Sequence, residues 1–378
     1  DLALCNTELN PFTNMSCPTF GGQYKVSQTL GSDFDLPYYI YSKIKRNKTE
    51  KVISPLKIGL KITNACYFRC PYCFVSKEED YLLFDHLKII IDKLPQLPFE
   101  VYLTGGEATL HPEFPKIVDY LVDLGILVKL HTTGVITEKS RNYIISNLEK
   151  FSSIQISIDS IKNFDKLRPS HIVINPLEQI CSFVQKCLDR DYKKLLVNIV
   201  ISSLNIHELD EVIDFCFKQG LLRIQLSSIF SIHNRLLVSD EKYAAHYNKL
   251  IEKFSCLGVQ FLTSPFCHPW SLAIKHGIEY HSPLYCPAQK TEFEIDMYGD
   301  VYPCPFLHDK IHLMGNLISD DFETIWYSGV EQLNRRAWSS NDSCKNCKLF
   351  NDCGGGCYAM AFVSQLEYDK RCILHANQ

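Results

Sequence analysis

Three cysteines lie close together in the segment NACYFRCPYC, residues 64–73, where Cys66, Cys70 and Cys73 have the spacing Cys-x3-Cys-x2-Cys. A [4Fe–4S] cluster normally takes four thiolates, so three closely spaced thiolates leave one iron open to a substrate or cofactor. A zinc site with one distant ligand, or three unrelated thiols, would account for the same spacing. The segment follows an apolar run, Ile58–Thr63, that is typical of a buried strand.

A second motif, Gly105-Gly106-Glu107, ends the short apolar run that begins at Val101. Glycines at the end of a strand let the backbone approach a ligand closely. The carboxylate of Glu107 adds an acceptor suited to an ammonium group. Turns also use such residues freely, so this motif alone indicates little.

Together the two motifs resemble those of the radical S-adenosylmethionine (SAM) enzymes. The resemblance implies that Cys66, Cys70 and Cys73 bind the catalytic cluster. The methionine amino and carboxylate groups of SAM would then chelate the open iron, with the Gly-Gly-Glu segment receiving the amino group. One electron would cleave SAM into methionine and a 5′-deoxyadenosyl radical, which takes hydrogen from a placed C–H bond.

The same resemblance implies four further contacts in the SAM pocket. Tyr72 would lie beside the adenine and Ser157 near the ribose. Asp159 belongs to the same pocket, and Arg168 would bind the SAM carboxylate, for which a guanidinium fork is well suited. A helix-entry cap at Ser157 or Asp159 and a surface ion pair at Arg168 are the structural alternatives.

Two positions depart from the pattern of related enzymes, which often have Ser-x-Asp-Gly and then His-Asp-x-x-Arg. Ser160 replaces the glycine and Phe164 replaces the histidine, while Asp165 and Arg168 match. Ala108 stands where many relatives have proline, and we expect little consequence because alanine can adopt the same backbone angles.

A second cysteine array occupies the last part of the chain. Its seven members are Cys286, Cys304, Cys344, Cys347, Cys353, Cys357 and Cys372. The spacing resembles that of the SPASM domain, the auxiliary-cluster module of many peptide-modifying radical SAM enzymes. Taken alone, the four residues from 344 to 357 would also fit a zinc ribbon.

The SPASM resemblance divides these ligands between two [4Fe–4S] clusters, which makes three in the chain. The outer cluster would use Cys344, Cys347, Cys353 and Cys372, and the inner one Cys286, Cys304 and Cys357. Several relatives supply a fourth inner ligand about six residues before Cys286, where this chain has no cysteine. The inner cluster is therefore open, or ligated by Cys267 or another group.

Alternating strand-like and helix-like segments must position these motifs. The strand-like runs are Ile58–Thr63, Glu100–Thr104, Leu127–His131, Ile154–Ile158, Leu195–Ile201 and Leu222–Ser227. The amphipathic segments include Phe84–Leu94, Phe114–Leu124, Leu177–Leu188 and Leu209–Gln219. This alternation predicts an α/β fold with a parallel sheet. The radical SAM resemblance implies a partial (β/α)6 TIM-like barrel, with ligands at the carboxyl ends of the strands.

We expect four segments along the chain: an N-terminal extension (1–55), the partial barrel (56–230), a bridge (231–285) and the SPASM domain (286–378). The net charge of −4 suggests no polyanion-binding role, so we expect no nucleic-acid partner. No apolar run approaches membrane-spanning length, and residues 1–9 lack the pattern of a signal peptide.

The chain contains 17 cysteines, and most of them cluster at metal-ligand spacing, which favours a reducing cytoplasm over a secreted disulfide scaffold. Four others occur singly in apolar, helix-like stretches, and we interpret them as buried thiols without a function. They are Cys181, Cys187, Cys216 and Cys256.

The resemblance favours a maturase that oxidatively cross-links a ribosomally made precursor peptide, with a thioether or C–C bond as the product. An electron donor such as flavodoxin or ferredoxin would serve the first cluster. A formylglycine-forming sulfatase maturase is the first alternative, but there an aspartate base follows the cysteine matching Cys304, and here Pro305 follows. A tetrapyrrole side-chain enzyme and a non-catalytic electron carrier are the others.

Overall fold

The structure is a computed structural model of the 378-residue chain. It describes residues 52–76, 78–229, 236–238, 246, 249–250, 252–262, 287–327, 344, 346–348, 356–366, 368–369 and 372, and the backbone pairing of 13–16 with 23–26. Most of the predicted extension (1–55), much of the predicted bridge (231–285), and Cys267, Cys286 and Cys353 lie outside the described residues.

Two sheets are present in the described part of the chain, a two-stranded hairpin and a ten-stranded sheet. The strands are β1 Thr13–Ser16, β2 Gln23–Val26, β3 Lys57–Thr63, β4 Glu100–Gly105, β5 Leu127–Thr132, β6 Phe151–Ser157, β7 Leu195–Ile201, β8 Arg223–Ser228, β9 Gln260–Leu262, β10 Glu292–Ile295, β11 Asp300–Tyr302 and β12 Gly315–Asn316. In the large sheet the order is β12-β11-β10-β3-β4-β5-β6-β7-β8-β9, and the strands from β10 through β9 pair in parallel.

Helices follow most of the parallel strands, as α/β units require. They are α1 Phe84–Asp92, α2 Phe114–Asp123, α3 Glu138–Ser146, α4 Phe164–Leu167, α5 Pro176–Leu188, α6 Leu209–Lys218 and α7 Tyr358–Val363. The sequence of α2 explains its helical form, because Phe114, Ile117, Val118 and Leu121 repeat at helical spacing and are all buried. Pro115 lies in its first turn, where a missing N–H costs nothing.

The predicted α/β partial barrel is confirmed, with all six predicted strands and all four predicted helices present. Two more parallel strands extend it. β9 comes from the segment predicted as a bridge, and β10 comes from the segment predicted as the SPASM domain. Both lie beyond the regular run of alternating elements, so the alternation gave no signal for them. The four segment boundaries themselves stay predictions.

α3 was not predicted because its sequence, Glu138–Ser146, is mostly polar and lacks an apolar stripe. Only Ser140 and Ile144 are buried in it. The Thr137 side chain caps the helix by accepting a hydrogen bond from Ser140 N at 3.2 Å. Capping and tertiary contact, rather than periodicity, therefore define this helix.

One hydrophobic core joins the barrel strands to the hairpin of β10 and β11. Phe293, Ile295 and Val301 are buried in the same cluster as the barrel residues Ile58 and Leu103. Trp326 is fully buried, meets Phe293 edge to face at 5.5 Å, and donates a hydrogen bond from Nε1 to Val52 O at 2.7 Å. The C-terminal segment is thus part of the barrel core.

The isolated cysteines differ from the prediction at one position. Cys187 and Cys216 are buried, and burial raises the pKa of each thiol to about 12, so both are unreactive. Cys181 is half-buried. Cys256 is exposed, so its predicted burial was wrong: it lies in the turn after the helical residues 252–255, with Sγ 3.3 Å from Glu252 O.

Polar residues lie near β3 on the face of the sheet that points away from the helices. The Tyr102 hydroxyl donates a hydrogen bond to the Glu294 carboxylate, and both residues are buried. Gly59 lies between them in register on β3. A Cβ on Gly59 would overlap both Glu294 Oε1 and the Tyr102 hydroxyl. Glycine is therefore required here by space.

Replacing Gly59 with alanine should lower the free energy of unfolding by about 1–3 kcal/mol, because the added methyl overpacks the Tyr102–Glu294 pair. Urea unfolding followed by circular dichroism measures the change. In a Tyr102→Phe background the cost should be smaller, since one of the two overlapping atoms is gone. An equal cost in both backgrounds would contradict the steric explanation.

Candidate functional site

The loop that carries Cys66, Cys70 and Cys73 begins where β3 ends, at the carboxyl edge of the parallel sheet. All three thiols are half-buried. Phe68 N donates to Cys66 Sγ at 3.4 Å, and Cys73 N donates to Cys70 O at 3.0 Å. An amide donating to sulfur stabilises a thiolate, as an iron ligand requires. The structure thus places the three cysteines on one loop at this edge of the sheet, and their joint binding of a cluster stays a prediction.

The segment after β6 fixes this cysteine loop in three ways. Phe68 meets Phe164 edge to face at 6.1 Å. Arg69 N donates to Pro169 O at 2.9 Å. The Tyr72 hydroxyl donates to the carboxylate of Asp159. Phe164, which replaces the histidine of related enzymes, is therefore a packing partner of the cysteine loop.

Asp159 is fully buried and joins three parts of the chain. Its Oδ2 accepts hydrogen bonds from the Tyr72 hydroxyl and from Arg168 Nε, the latter at 2.8 Å. Its Oδ1 accepts one from Val200 N, also at 2.8 Å, where β7 ends. Asn205 Nδ2 donates to the Asp159 carbonyl at 2.7 Å, a contact that sequence reasoning did not find.

Arg168 is buried, so the surface ion pair considered from the sequence is wrong. Burial lowers the pKa of its guanidinium, but the nearby Asp159, with Tyr72 and Cys70, raises it overall, so Arg168 stays cationic. The bond to Asp159 uses Nε. Among the described residues, the two terminal nitrogens of Arg168 have no hydrogen-bond acceptor. Both can therefore donate to a bound carboxylate.

Tyr72 remains a hydrogen-bond donor in this site. Burial, and then the charge of Asp159, raise the pKa of its phenol well above the usual value, although Arg168 opposes the shift. Its ring belongs to the cysteine loop, and its hydroxyl anchors that loop to Asp159. The predicted contact of Tyr72 with adenine stays a prediction.

The two glycines of the Gly-Gly-Glu motif serve a close approach between two backbone segments. Gly106 N donates to Thr63 O at 2.8 Å, and Glu107 N donates to Ala65 O at 2.7 Å. A Cβ on either glycine would overlap these carbonyl oxygens, and Gly105 has a φ of +143°. The glycines therefore let the end of β4 lie against the residues that lead into Cys66.

The Glu107 carboxylate is buried and accepts five hydrogen bonds. Oε1 accepts from the Thr109 amide and hydroxyl and from the Thr132 hydroxyl, at 3.2, 2.7 and 2.8 Å. Oε2 accepts from the Thr133 amide and hydroxyl, at 2.6 and 2.7 Å. A carboxylate offers about four lone-pair sites, so this one is saturated. Glu107 joins the ends of β4 and β5, and its predicted contact with an ammonium group stays a prediction.

Two serines lie at and just after the end of β6. Ser157 ends β6, is half-buried and lies in register with Asn198 of β7. Ser160, which replaces the family glycine, donates from Oγ to Glu208 Oε1 at 2.5 Å. Glu208 also accepts from Lys162 N at 3.1 Å, which fixes the loop after β6. The substitution at position 160 therefore has a structural role in this chain.

Five of the C-terminal cysteines lie within the described residues, and contacts are seen in two places. Cys304 is buried in a small apolar cluster against which Cys357 packs. Burial raises the pKa of Cys344, and the nearby Cys372 and Cys347 raise it further, so these three thiols are neighbours. The division of these thiols between two clusters stays a prediction.

Asp369 connects the two groups, and no pattern in the sequence indicated it. Its Oδ2 accepts from Cys357 N at 2.9 Å, and its carbonyl accepts from Cys372 N at 2.8 Å. Gly356 packs directly on it with a φ of +89°, so a side chain there would collide with Asp369. The backbone therefore folds tightly against Asp369 at Gly356.

Two aromatic rings bring the first cysteine loop next to the Cys304 loop. Phe74, which directly follows Cys73, meets Phe306 edge to face at 5.4 Å. Phe306 lies two residues after Cys304. The grouped thiols, the amide directed at Cys66 Sγ and the buried guanidinium of Arg168 fit iron–sulfur clusters and the carboxylate of SAM.

Comparison with known families agrees with this geometry. The family model described as "Radical SAM superfamily" matches residues 60–216, and the SPASM model, "Iron-sulfur cluster-binding domain", matches residues 286–348. Together they span more than half of the chain. Residues 60–216 form a radical SAM domain, and residues 286–348 match a SPASM domain. The matches also support binding of SAM and of iron–sulfur clusters.

Similar proteins cover most of this radical SAM chain. Mycofactocin maturase MftC of Mycobacterium tuberculosis is 27% identical over 331 residues, covering 84% of this chain and 81% of the relative. PqqA peptide cyclase of Bradyrhizobium diazoefficiens is 23% identical, covering 84% and 85%. GTP 3′,8-cyclase of Mannheimia succiniciproducens is 27% identical, covering 72% and 84%.

Solved structures share the fold. Streptococcus suis SuiB bound to precursor peptide SuiA has a TM-score of 0.65 at 18% identity, covering 87% of this chain and 77% of that chain. Native anSMEcpe with bound AdoMet has a TM-score of 0.67 at 17% identity, covering 84% and 94%. Within the described residues, no helix is long and apolar enough to cross a membrane.

Phe164→Ala should loosen the cysteine loop, because it removes the ring that packs on Phe68. After anaerobic reconstitution, the variant should lose iron from the first cluster to a chelator several-fold faster than the unchanged protein. Phe183→Ala, in the buried face of α5, is the matched control. Both substitutions should cost about 3–5 kcal/mol of stability, so equal rates of iron loss in the two variants would contradict the packing role.

Glu107→Gln should destabilise the fold by about 1–3 kcal/mol, because the new amide N–H₂ faces the donors of Thr133 or Thr109. Chemical unfolding and SAM titration distinguish its two roles. We expect stability and SAM affinity to fall together. Unchanged stability with weakened SAM binding would instead show that the carboxylate acts mainly on the ligand.

Proposed function

We propose that this protein cleaves SAM reductively and oxidatively cross-links a residue of a ribosomally synthesised peptide. The contact that carries the proposal is the one between Phe74 and Phe306, at 5.4 Å between ring centroids. It joins the loop of the first cysteine group to the loop of Cys304. Forming a thioether or C–C bond removes two electrons from a substrate, and neighbouring redox sites give the second electron a route out.

The chain's residues divide the work of binding. Cys66, Cys70 and Cys73 hold the first cluster, and the terminal nitrogens of Arg168 receive the SAM carboxylate. Bound together, a [4Fe–4S] cluster and SAM supply a one-electron reductive cleavage that yields the 5′-deoxyadenosyl radical. Asp159 keeps Arg168 and Tyr72 in place while this happens.

The auxiliary ligands supply two further clusters in this proposal. Cys304 and Cys357 belong to the inner one, and Cys344, Cys347 and Cys372 to the outer one, with Cys286 and Cys353 completing the sets. Asp369 bridges the two groups through its side chain and its carbonyl. A flavodoxin or ferredoxin in a reducing cytoplasm is the proposed electron source.

A cluster of polar side chains around Tyr102 and Glu294 is suited to contact a peptide residue. TIM-barrel interiors are usually filled by branched apolar side chains. Here His131 stacks on Tyr102 at 5.1 Å, and His308 Nε2 lies 3.7 Å from Glu294 Oε2. Within the described residues, the Nε2 atoms of both histidines are buried without a hydrogen-bond partner.

The protonation of His131 favours hydrogen bonding to a neutral polar group. Burial, together with Lys129 and Lys57, holds the pKa of His131 well below its usual range. The ring is therefore neutral at physiological pH and can accept or donate one hydrogen bond at Nε2. Backbone amides and side-chain hydroxyls of a threaded peptide meet that requirement.

The names of similar proteins support a peptide substrate: a mycofactocin maturase, a PqqA peptide cyclase, and a SuiB structure bound to a precursor peptide. The sulfatase-maturase alternative lacks its base, because Pro305 follows Cys304. Glu294, the nearby buried carboxylate, comes from a different strand and is already bonded to Tyr102.

The test uses candidate precursor peptides encoded beside this gene, deuterated at the reacting carbon. We expect deuterium in 5′-deoxyadenosine and a peptide product lighter by two hydrogens, both measured by mass spectrometry. Cys70→Ala should abolish both products. Cys256→Ala, at an exposed cysteine outside the arrays, should leave both unchanged. A product from GTP and none from any peptide would overturn the peptide proposal.

The three-cluster composition has its own measurement. The reconstituted protein should contain roughly twelve irons and twelve sulfides, as three [4Fe–4S] clusters require. A Cys344→Ala/Cys347→Ala variant should lose about four of each while keeping SAM cleavage. Full iron content in that variant, or zinc in its place, would exclude the outer cluster.

A further inference from the structure

Gln289 combines two unfavourable features in one residue. Its φ is +56°, in the left-handed region that glycine adopts without strain. Its side chain is buried, and neither Oε1 nor Nε2 has a hydrogen-bond partner within the described residues. Buried amides are almost always paired, because leaving them unpaired costs free energy.

The other left-handed residues outside glycine do not combine these features. Asn175 and Asp191 are of types that tolerate this region. Gln365 is the remaining example, and it is exposed to water. A glycine at position 289 would avoid both costs. The presence of a glutamine therefore indicates that its side chain binds a ligand.

The backbone fixes Gln289 in a tight turn before β10. Its N–H donates to Glu292 O at 2.8 Å. The Pro287 carbonyl accepts from the amides of Lys290 and Thr291, at 2.9 and 3.0 Å. The residue is therefore held in place from both sides, as a site that must meet a ligand requires.

Two predicted ligands of the inner auxiliary cluster, Cys304 and Cys357, lie near this turn. Gln289 is three residues after Cys286. Its neighbour Ala288 is buried in the small apolar cluster that contains Cys304 and against which Cys357 packs. These three cysteines supply three thiolates, whereas a [4Fe–4S] cluster has four irons.

We propose that Gln289 completes the inner auxiliary cluster, with Oε1 ligating the iron that has no cysteine and Nε2 donating to a sulfur. The inference rests on the proposed function, which places a cluster at Cys286, Cys304 and Cys357. A neutral amide in place of a fourth thiolate makes the cluster one charge less negative. Less negative charge raises the reduction potential, which suits a cluster that accepts an electron.

The first experiment uses the full chain, labelled with ¹⁵N in the glutamine side-chain amide and reconstituted anaerobically. Pulsed EPR of the reduced inner cluster should detect a ¹⁵N coupling that Gln289→Leu abolishes. Gln96→Leu is the matched control, because Gln96 also has a buried, unpartnered Oε1 but lies in the loop before β4. It should leave the coupling intact.

Redox titration gives a second readout. Gln289→Cys should lower the midpoint potential of the inner cluster, because a thiolate replaces a neutral ligand. Gln289→Ala should open the iron, so that added cyanide changes the EPR spectrum of the variant and leaves that of the unchanged protein alone. A residue with a purely structural role would alter neither the potential nor the cyanide response.

The failures of the two proposals are distinguishable. If the EPR signal is absent, or survives Cys304→Ala, the inner cluster itself is wrong. If the signal depends on Cys304 but Gln289 variants leave coupling, potential and cyanide response unchanged, only the ligand assignment is overturned. If cyanide instead changes the EPR spectrum of Cys267→Ala, Cys267 is the fourth ligand.

A glycine variant keeps the proposal testable if larger changes prevent folding. Gln289→Gly should raise the melting temperature of the cluster-free protein, because it removes the left-handed strain and the buried amide. The same variant, once reconstituted, should show the open-iron response to cyanide. A lower melting temperature without the cluster would contradict the claim that the glutamine is held at a cost.

Discussion

The buried charge of Asp159 is the interaction on which the rest of the candidate site depends. One carboxylate holds the Tyr72 hydroxyl, the Arg168 guanidinium and the amide at the end of β7. Removing one partner of a buried ion pair typically costs about 3–5 kcal/mol, because the other charge is left without compensation. The positions of the cysteine loop, of Arg168 and of the end of β7 therefore depend on one shared carboxylate.

The sequence predicted the elements with strong periodicity and the sites with specific spacing. β3 through β8 and the three grouped cysteines at β3 were accessible because apolar runs and Cys-x3-Cys-x2-Cys are local signals. The roles of Glu107 and Phe164 were not accessible in this way. Glu107 is saturated by threonines from the next strand, and Phe164 packs on a loop far away in sequence. Local patterns carry no information about such partners.

The same limit explains β10 and Asp369. β10 alternates Glu292 and Glu294 with Phe293 and Ile295, which is compatible with any half-buried strand, and only the fold reveals its pairing with β3. Asp369 is one of many carboxylates in the sequence. It becomes informative only when its two oxygen contacts join the amides of Cys357 and Cys372. Residue types that ligate metal are visible in a sequence, whereas the groups that orient them are not.

The pairing of β3 with β10 has a consequence for how the chain is made. One edge of β3 receives β4 within a short stretch of sequence, but the other waits for Glu292–Ile295. At ribosomal speeds of about 5–20 residues per second, that edge stays open for roughly ten to fifty seconds. An unpaired, buried-type strand edge invites aggregation. Until β10 is made, the nascent barrel exposes this edge, and the first cysteine loop is not yet covered by the C-terminal segment that packs beside it.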